Sequence, residues 1–426
     1  MQFLADLGAT RLDRLRAMRQ PSEAIADIVG RVSALGAREH VALADAAGRC
    51  LAASYASDVD LPPFEKSMMD GFALRAADAA AGELACVGEA RAGAAFARPV
   101  PKGACVEIYT GAELPSDCDS VVMIEHVTRA GDRVRVPPQV RPGQNVAHKA
   151  EVLAVGREVF APPRRLSPVD VAVLAAIGVA KPLVFRRPRV AVLTTGDELV
   201  PVEARPGPSQ IREGNTRFLA AALAACGAEL TEVGIVRDDP AELRARFAAA
   251  LERSDVLVTT GGVSMGKYDL VGAALEALGV APLLHKVAIK PGKPIWFGLA
   301  PSADGAAKPV LGLPGNPVSS LLGFELFVRP VLAVLEGAPA NETRERTALG
   351  RWMGAPPKPD DRQNNVPVAL RAGADGVAEL HPLAYKGSAD IVALTGAHAF
   401  AVFEPGASAA TGALVRYRPL PWAHPD

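Results

Sequence analysis

The chain has 426 residues, of which 49% are hydrophobic and 22% charged, a composition that predicts a globular protein of roughly two to four domains. Its 46 basic and 47 acidic residues leave a net charge of −1, which argues against a dedicated nucleic-acid binder. Five scattered cysteines without a CxxC pair argue against structural zinc. With no secretory leader and no run of about 18 apolar residues, they favour a cytoplasmic protein that does not span a membrane.

The first part of the chain predicts a mixed domain that is interrupted by a β-rich one. A helix is expected to begin near Pro21 with Ser22 as its N-cap, and another begins at Pro168 with Ser167 as its N-cap. Between them, short apolar runs are separated by glycine and proline, a pattern typical of a small β domain. Its predicted strands cover 83–87, 105–109, 120–124 and 133–136.

From Arg189 the pattern changes to regular alternation of strands and helices. This alternation predicts an α/β domain with a mostly parallel sheet covered by helices. The predicted strands are 189–193, 229–235, 256–258, 294–297 and 310–313, and the predicted helices are 215–226, 240–252, 269–278 and 318–335. Beyond Gly337, strand-like runs at 366–370, 376–380, 399–403 and 414–417 predict a second small β domain, barrel-like in form.

The most informative loop runs from Thr259 to Asp269 and contains the pair Gly261-Gly262. It joins a buried strand to a helix, and open α/β sheets bind ligands beyond the carboxyl ends of their strands. Paired glycines let backbone N–H groups approach an anion closely. A tight turn without a ligand explains the same residues equally well, so this loop alone does not establish a site.

A second loop, after the first strand of the α/β domain, reads Thr195-Gly196-Asp197-Glu198. Its two carboxylates are placed to hold a divalent cation or a polar ligand. A helix N-cap with acids that complement the helix dipole is the more economical explanation when this loop is taken alone.

Two further loops are expected at the same edge of the sheet. Lys290 and Lys293 stand in a rigid frame of proline and glycine, and a Pro314-Gly315-Asn316-Pro317 turn enters a helix. Together with the Gly-Gly loop they predict a cleft for a phosphate-bearing or other oxyanion ligand. The chain has neither a P-loop nor a GxGxxG dinucleotide motif. It has no readable Ser/His/Asp arrangement, so acids and a metal are the expected chemistry.

Six stretches, in order along the chain, resemble the MoeA family of molybdenum insertases, which are related to the gephyrin E domain. They are residues 63–73, 109–112, 195–199, 261–269, 290–294 and 313–319. The resemblance implies a homodimer of four-domain chains: a discontinuous elongated mixed domain (1–55 and 148–185), an inserted β-rich domain (56–147), a MogA-like molybdopterin-binding α/β domain (186–337) and a C-terminal β-barrel (338–426). It also implies an active cleft between the α/β domain of one subunit and parts of the other.

The implied reaction is the ligation of molybdate to adenylylated molybdopterin, with release of AMP and formation of molybdenum cofactor. The resemblance implies Mg²⁺, with Asp70, Glu198 and Asp269 as the acids that act in catalysis or hold the metal. Implied binding residues for the substrates are Thr110, Gly261, Gly262, Ser264, Lys290, Lys293, Pro314, Pro317 and Ser388, of which Ser388 is expected to reach the partner's site. Implied partners are molybdopterin adenylyltransferase and molybdoenzyme apoproteins or their chaperones.

The chain departs from the family pattern at several positions. Lys66 and Met68 replace the usual Asn and Ala before Asp70-Gly71, Val152 replaces an acid, and Lys267 stands where an acid is common. A C-terminal strand that is rich in arginine in the family has a single arginine, Arg362, within residues 362–367 of this chain. These changes would make the cleft more positive. They keep open the alternative that the protein binds and delivers the cofactor with little ligase activity. The adenylyltransferase of the same pathway is disfavoured by the extra β domains.

Overall fold

The computed structural model describes residues 18–262, 270–302 and 305–423, and everything below refers to those ranges. Three residues of the Gly-Gly loop singled out from the sequence, Ser264, Lys267 and Asp269, lie outside the described residues.

The N-terminal segment begins with helix α1 (Pro21–Val29), followed by strands β1 (Arg38–His40) and β2 (Tyr55–Ala56). Ser22 is not the N-cap that its sequence position predicts. Gln20 is the N-cap, with its backbone N–H donating to the Glu23 carboxylate at 3.4 Å, because Pro21 takes the first helical position, where no N–H is needed. The buried face of α1 packs against the last helix of the α/β domain.

The inserted region is a β domain around a six-stranded mixed sheet in the order β7-β4-β6-β5-β9-β8. Two buried clusters, one on each face of the sheet, fill its core. The strands are β3 (Lys66–Ser67), β4 (Gly71–Leu74), β5 (Glu83–Ala90), β6 (Ala104–Ile108), β7 (Ser120–Met123), β8 (Thr128–Ala130), β9 (Arg133–Arg135) and β10 (Val146–Ala147).

The chain then returns to its N-terminal segment through β11 (Glu158–Phe160), α2 (Pro168–Ala176) and β12 (Leu183–Phe185). β11 pairs antiparallel with β2, and β12 pairs antiparallel with β1. Ser167 caps α2 as predicted, with its hydroxyl accepting the Asp170 N–H at 3.2 Å. A separate apolar cluster joins the two halves of this mixed unit.

The α/β domain is built on a six-stranded sheet in the order β16-β13-β17-β21-β20-β18, in which the first four strands are parallel and β20 is antiparallel to both of its neighbours, β21 and β18. The strands of this region are β13 (Arg189–Thr195), β14 (Leu199–Val200), β15 (Ile211–Arg212), β16 (Glu229–Val236), β17 (Val256–Thr260), β18 (Ala281–Leu284), β19 (Ile289–Lys290), β20 (Trp296–Ala300) and β21 (Lys308–Leu313). The helices are α3 (Asn215–Ala225), α4 (Pro240–Arg253), α5 (Leu270–Ala277), α6 (Pro317–Gly323) and α7 (Arg329–Leu335).

Both faces of this sheet are buried, as the near-continuous apolar strands predict. Alternate residues of β13 belong to different cores: Val190 and Val192 face α3 and α6, whereas Ala191 and Leu193 face α4 and α5. One predicted helix, 318–335, is divided by a π-helical turn at Phe324–Val328 into α6 and α7. The whole stretch Pro317–Leu335 is long and apolar enough to cross a membrane, but 89% of an 18-residue segment within it is buried inside the protein, as in a core helix.

The C-terminal strands close into a five-stranded barrel, because β23 pairs with both β24 and β25. β19 of the preceding domain adds to it, pairing parallel with β23. The strands are β22 (Ala348–Trp352), β23 (Gln363–Ala372), β24 (Ala378–Pro382), β25 (Ala399–Phe403) and β26 (Leu414–Pro419). Four short 3₁₀ helices complete the described elements: Leu43–Asp45, Ala76–Ala81, Ile124–His126 and Val392–Gly396.

Candidate active site

A cleft of about 880 Å³ lies at the carboxyl edge of the parallel strands β13, β17 and β21. Its volume suits a ligand larger than a simple anion. Of the predicted site residues, five line it: Glu198, Gly261, Gly262, Pro314 and Pro317. Ala389 and Ile391 of the C-terminal region form another side. The four loops predicted to meet at one edge of the sheet therefore all line this cleft, the lysine loop through Pro294.

The glycine pair after β17 is required by close packing. Gly261 has φ +83° and Gly262 has φ +63°, both in the left-handed region. A Cβ on Gly261 would lie 2.6 Å from the Thr195 carbonyl oxygen, and a Cβ on Gly262 would lie 2.5 Å from Val271 Cγ2. The backbone thus lies directly against β13, with no side chain between it and the cleft.

Buried hydroxyls fix the loop that follows β21. The Ser320 hydroxyl donates to the Pro314 carbonyl at 2.6 Å, and Thr260 Oγ1 donates to the same oxygen at 3.1 Å. Asn215, at the start of α3, donates through Nδ2 to the Gly315 carbonyl at 2.6 Å. These bonds hold the entrance of α6 in place before any ligand arrives.

One wall of the cleft is acidic. Glu198 lines it, and the neighbouring Asp197 accepts the Asp238 backbone N–H at 3.2 Å. Burial raises the pKa of Asp238, and the nearby charges of Asp197 and Glu198 raise it further. Glu213 also lines the cleft but is a structural residue, because its carboxylate accepts the Thr216 N–H and hydroxyl at 2.7 and 2.5 Å.

The two predicted lysines lie on a neighbouring loop and are both exposed at its surface. Gly292, between them, packs near Ser319 at the start of α6, so this loop borders the cleft. Lys290 Nζ forms an ion pair with Asp360 Oδ2 at 2.8 Å. The pKa of Asp360 is lowered, first of all by its hydrogen bond with Lys290.

Ser388 touches the cleft of its own chain. Its Oγ accepts a hydrogen bond from Asn316 Nδ2 at 2.9 Å, and its carbonyl accepts the Val318 N–H at 3.0 Å. The contact within the chain ties the C-terminal domain to the Pro314–Pro317 turn, and the reach into the partner's site that the family resemblance implies stays a prediction.

Asp70 and Thr110 lie together on the inserted β domain, and neither lines the cleft of the same chain. The Thr110 backbone N–H and hydroxyl donate to Asp70 Oδ1 at 2.7 and 2.8 Å. These bonds, the backbone one first, lower the pKa of Asp70. The loops are joined as well, since Gly111 N donates to the Ser67 carbonyl at 2.9 Å. Two motifs 40 residues apart therefore form one acidic tip.

Among residues 18–262, 270–302 and 305–423, no three or more His, Cys, Asp or Glu side chains are grouped closely enough to hold a metal ion. The predicted metal set is therefore not assembled within the described part of one chain: Glu198 lines the cleft, Asp70 is on the inserted domain, and Asp269 is outside the described residues. Val152, where an acid is usual in the family, has its side chain 74% exposed and does not line the described cleft.

Three residues of the cleft region were not predicted from the sequence. Arg212 and Asn215 line the cleft, and Asp238 stands behind its acidic wall. Asp238 follows the parallel strand β16, so the rule that found Glu198 could have found it too. Nothing in the sequence pattern pointed to the pairing of Lys290 with Asp360.

Known families match most of the chain. A family profile described as MoeA N-terminal region (domain I and II) matches residues 19–178, and one described as probable molybdopterin binding domain matches residues 191–334. The second match includes the strands and loops that build the cleft.

Relatives of the whole chain agree with these profiles. A molybdopterin molybdenumtransferase from Nostoc is 35% identical over 75% of this chain and 74% of its own length. One from Bacillus subtilis is 31% identical over 87% of each chain. The crystal structure of a molybdopterin biosynthesis MoeA protein from Pyrococcus horikoshii superposes with a TM-score of 0.80 at 30% identity, covering 95% of this chain and 99% of that one. The predicted multidomain α/β and β architecture is thereby confirmed.

Proposed function

The chain belongs to the MoeA family of molybdopterin molybdenumtransferases, and from this premise we propose that its cleft ligates molybdate to adenylylated molybdopterin and releases AMP. The protein is a transferase of molybdenum cofactor biosynthesis, and molybdopterin and molybdate are its substrates. One observation carries the assignment to the cleft: the roughly 880 Å³ space at the carboxyl edge of β13, β17 and β21 lies inside the region matched as a probable molybdopterin binding domain.

Binding of the anionic groups is assigned to the loops that border this space. The backbone of Gly261 and Gly262 and the ammonium groups of Lys290 and Lys293 supply donors and positive charge for phosphates and for molybdate. Ser264 belongs to the same proposed set. Pro314, Pro317 and Ser388 shape the entrance, since Ser388 supports Asn316 there.

The acids have a different task. Glu198 lines the cleft, and we assign to it, with Asp269 of the Gly-Gly loop, the orientation of the reacting phosphate. The described carboxylates do not form a magnesium site by themselves. Mg²⁺ commonly takes only one or two carboxylates together with substrate phosphates and water, so we expect it to bind with the substrate rather than before it. Such an ion would offset the charge of the phosphates.

Asp70 and Thr110 require a second subunit in this proposal. They form an exposed acidic tip on the inserted domain, outside the cleft of their own chain. In a homodimer, the tip of one subunit can complete the cleft of the other. The enzyme that adenylylates molybdopterin would supply the substrate, and molybdoenzyme apoproteins or their chaperones would receive the product.

The test is a ligation assay with purified protein, adenylylated molybdopterin, molybdate and Mg²⁺. We expect AMP release that depends on molybdate and on protein concentration. A rate at background level with intact, folded protein would overturn the enzymatic proposal and favour the alternative of a cofactor-delivery protein. That alternative has no observation of its own in the cleft, since Val152 lies outside the described lining.

A further inference from the structure

At the junction of the α/β domain and the barrel, one carboxylate lies between two cations. Asp360 Oδ2 is 2.8 Å from Lys290 Nζ, and Asp360 Oδ1 is 3.1 Å from Arg362 Nε. The Arg362 backbone N–H also donates to Oδ1 at 3.1 Å. The Asp360 side chain is only 13% exposed, whereas the lysine remains 47% exposed. Each carboxylate oxygen therefore faces a different cationic side chain.

The main chain fixes this arrangement from both sides. β19 pairs with β23 so that Lys290 lies opposite Asn364, and Asn365 Nδ2 donates to the Lys290 carbonyl at 3.3 Å. The Asp360 carbonyl accepts the Gly406 N–H at 2.7 Å, which ties it to the turn after β25. Asp360 is thus held by the barrel, and it is not a side chain that reached Lys290 by chance from a free surface.

The position taken by this carboxylate is one that an oxyanion bound to Lys290 would need. Two anions cannot share one pair of cations at contact distance, because their repulsion opposes the gain from the cations. The lowered pKa of Asp360 keeps it ionised at neutral pH, so protonation does not vacate the position. An incoming anion must displace it.

We propose that Asp360 is a built-in competitor at the anion site: its carboxylate holds the place between Lys290 and Arg362 and yields it to a dianion but not to a monoanion. A monoanion gains nothing in charge by replacing a carboxylate, whereas a tetrahedral dianion brings a second charge to the same cations. Asp360 is then a specificity-determining residue. That the dianion is molybdate rests on the proposed function.

The experiment measures anion binding to the full-length protein by titration calorimetry, with molybdate as the dianion and nitrate as the monoanion. We expect Asp360→Asn to tighten molybdate binding about tenfold and to make nitrate binding measurable. Asp375→Asn is the matched control, because Asp375 lies in the same barrel, is 53% exposed and pairs with Arg351 rather than with Lys290 or Arg362. It should leave both affinities unchanged.

Unchanged or weaker molybdate binding by Asp360→Asn, or an equal gain in Asp375→Asn, would overturn the inference. Asp360→Ser is a second variant in case the first does not fold, and thermal unfolding of each checks this. The ligation assay separates the two proposals. AMP release by the wild type with no gain of affinity in the variants refutes only the competitor role. A gain of affinity without AMP release refutes only the ligation reaction.

Discussion

At the scale of single residues, Thr110 shows how the fold sets the charge of a functional group. Its backbone N–H and its hydroxyl both donate to one oxygen of Asp70, and both lower the pKa of that carboxyl group. The backbone donor belongs to the turn that Gly111 completes at φ +83°. The sequence motifs therefore specify an ionised acid on an exposed tip.

Replacing Thr110 with Val should remove the hydroxyl donor while keeping the backbone donor and the side-chain shape. A hydrogen bond to a charged group contributes about 1.5–3 kcal/mol, so we expect AMP release to fall about tenfold or more if this bond orients Asp70 in the reaction. Thr110→Ser should retain most of the activity. Thr128→Val, on an exposed strand of the same domain, is the control. Equal rates for Thr110→Val and the wild type would show that the hydroxyl has no part in the reaction.

Glu325 gives a prediction about stability and pH. It is 3% exposed, and burial raises its pKa above the ordinary value of 4.5 although Arg329 lies 3.0 Å away. Between the ordinary and the raised pKa the folded state binds more protons than the unfolded state, so this group's contribution to stability decreases as pH rises through that window.

Glu325→Gln removes this titration and keeps the size of the side chain. We expect the free energy of unfolding of the variant to increase relative to that of the wild type as pH rises through the window, because only the wild type loses stability there. Urea unfolding from pH 5 to pH 8 measures this difference, and Glu83→Gln, at the exposed first residue of β5, is the control. A difference between variant and wild type that does not vary with pH would contradict the prediction.

At the scale of elements, the cleft depends on how closely the loops after β17 and β21 approach each other and β13. A Cβ on Gly315 would lie 3.6 Å from Gly261 Cα, and one on Gly262 would lie 2.7 Å from Thr195 Oγ1. The Gly262 backbone therefore lies directly against the Thr195 hydroxyl and leaves no room for a side chain.

Gly262→Ala should therefore destabilise the protein more than an ordinary glycine substitution at positive φ. We expect a loss of about 2–4 kcal/mol, from the left-handed conformation plus overpacking against Val271 and Thr195. Gly376→Ala is the matched control, because φ is +80° there and its Cβ would meet nothing within 4 Å. It should lose about 1–2 kcal/mol in urea unfolding. Equal losses of stability in the two variants would mean that the Gly262 loop can shift to accept the added methyl group without any further loss of stability.

Much of the α/β domain and of the mixed unit before it could be predicted because their signals are local. The start of α2 at Pro168, the strand that ends in Thr260 and the helix from Asn215 follow from capping residues and apolar runs. Strand β22 is not among the strands predicted from the sequence. Gly350 and Arg351 stand at its centre, and packing against β24 rather than a local apolar pattern makes this segment a strand. The π-helical turn at Phe324–Val328 could not be predicted either, because the apolar pattern of the core helix continues through it.

The candidate site likewise has residues that could be predicted from the sequence and contacts that could not. Glu198, Gly262 and Pro314 could be found because each follows a parallel strand, and those strands share one carboxyl edge. The contacts of Ser388 with Asn316 and of Asp360 with Lys290 could not, because each joins residues about 70 positions apart through the docking of the barrel. Local sequence patterns do not encode that docking.

At the scale of the whole molecule, the acids expected to act together are divided between two parts of the chain. Glu198 lines the cleft, whereas Asp70 stands on the inserted domain and does not. No group of metal-binding acids joins them within the described part of one chain. A site completed across a twofold axis would bring them together without changing either domain.

Mixing two inactive variants tests this arrangement. Asp70→Ala and Glu198→Ala, unfolded together and refolded as a mixture, should regain about one quarter of wild-type AMP release, because random pairing makes about half of the dimers mixed and each mixed dimer has one intact site. Either variant refolded alone should stay inactive. The activity of the mixture, measured against refolded wild type, gives the result.

The control pairs two changes in the same cleft, Glu198→Ala with Lys290→Gln. Each chain of that mixed dimer has a damaged cleft, so no site is intact and activity should not return. If each chain instead built its site from its own Asp70 and Glu198, both mixtures would remain inactive. Recovery in the first mixture alone therefore identifies a site shared between subunits, and recovery in neither, with dimers present, would assign Asp70 to the cleft of its own chain or to no cleft at all.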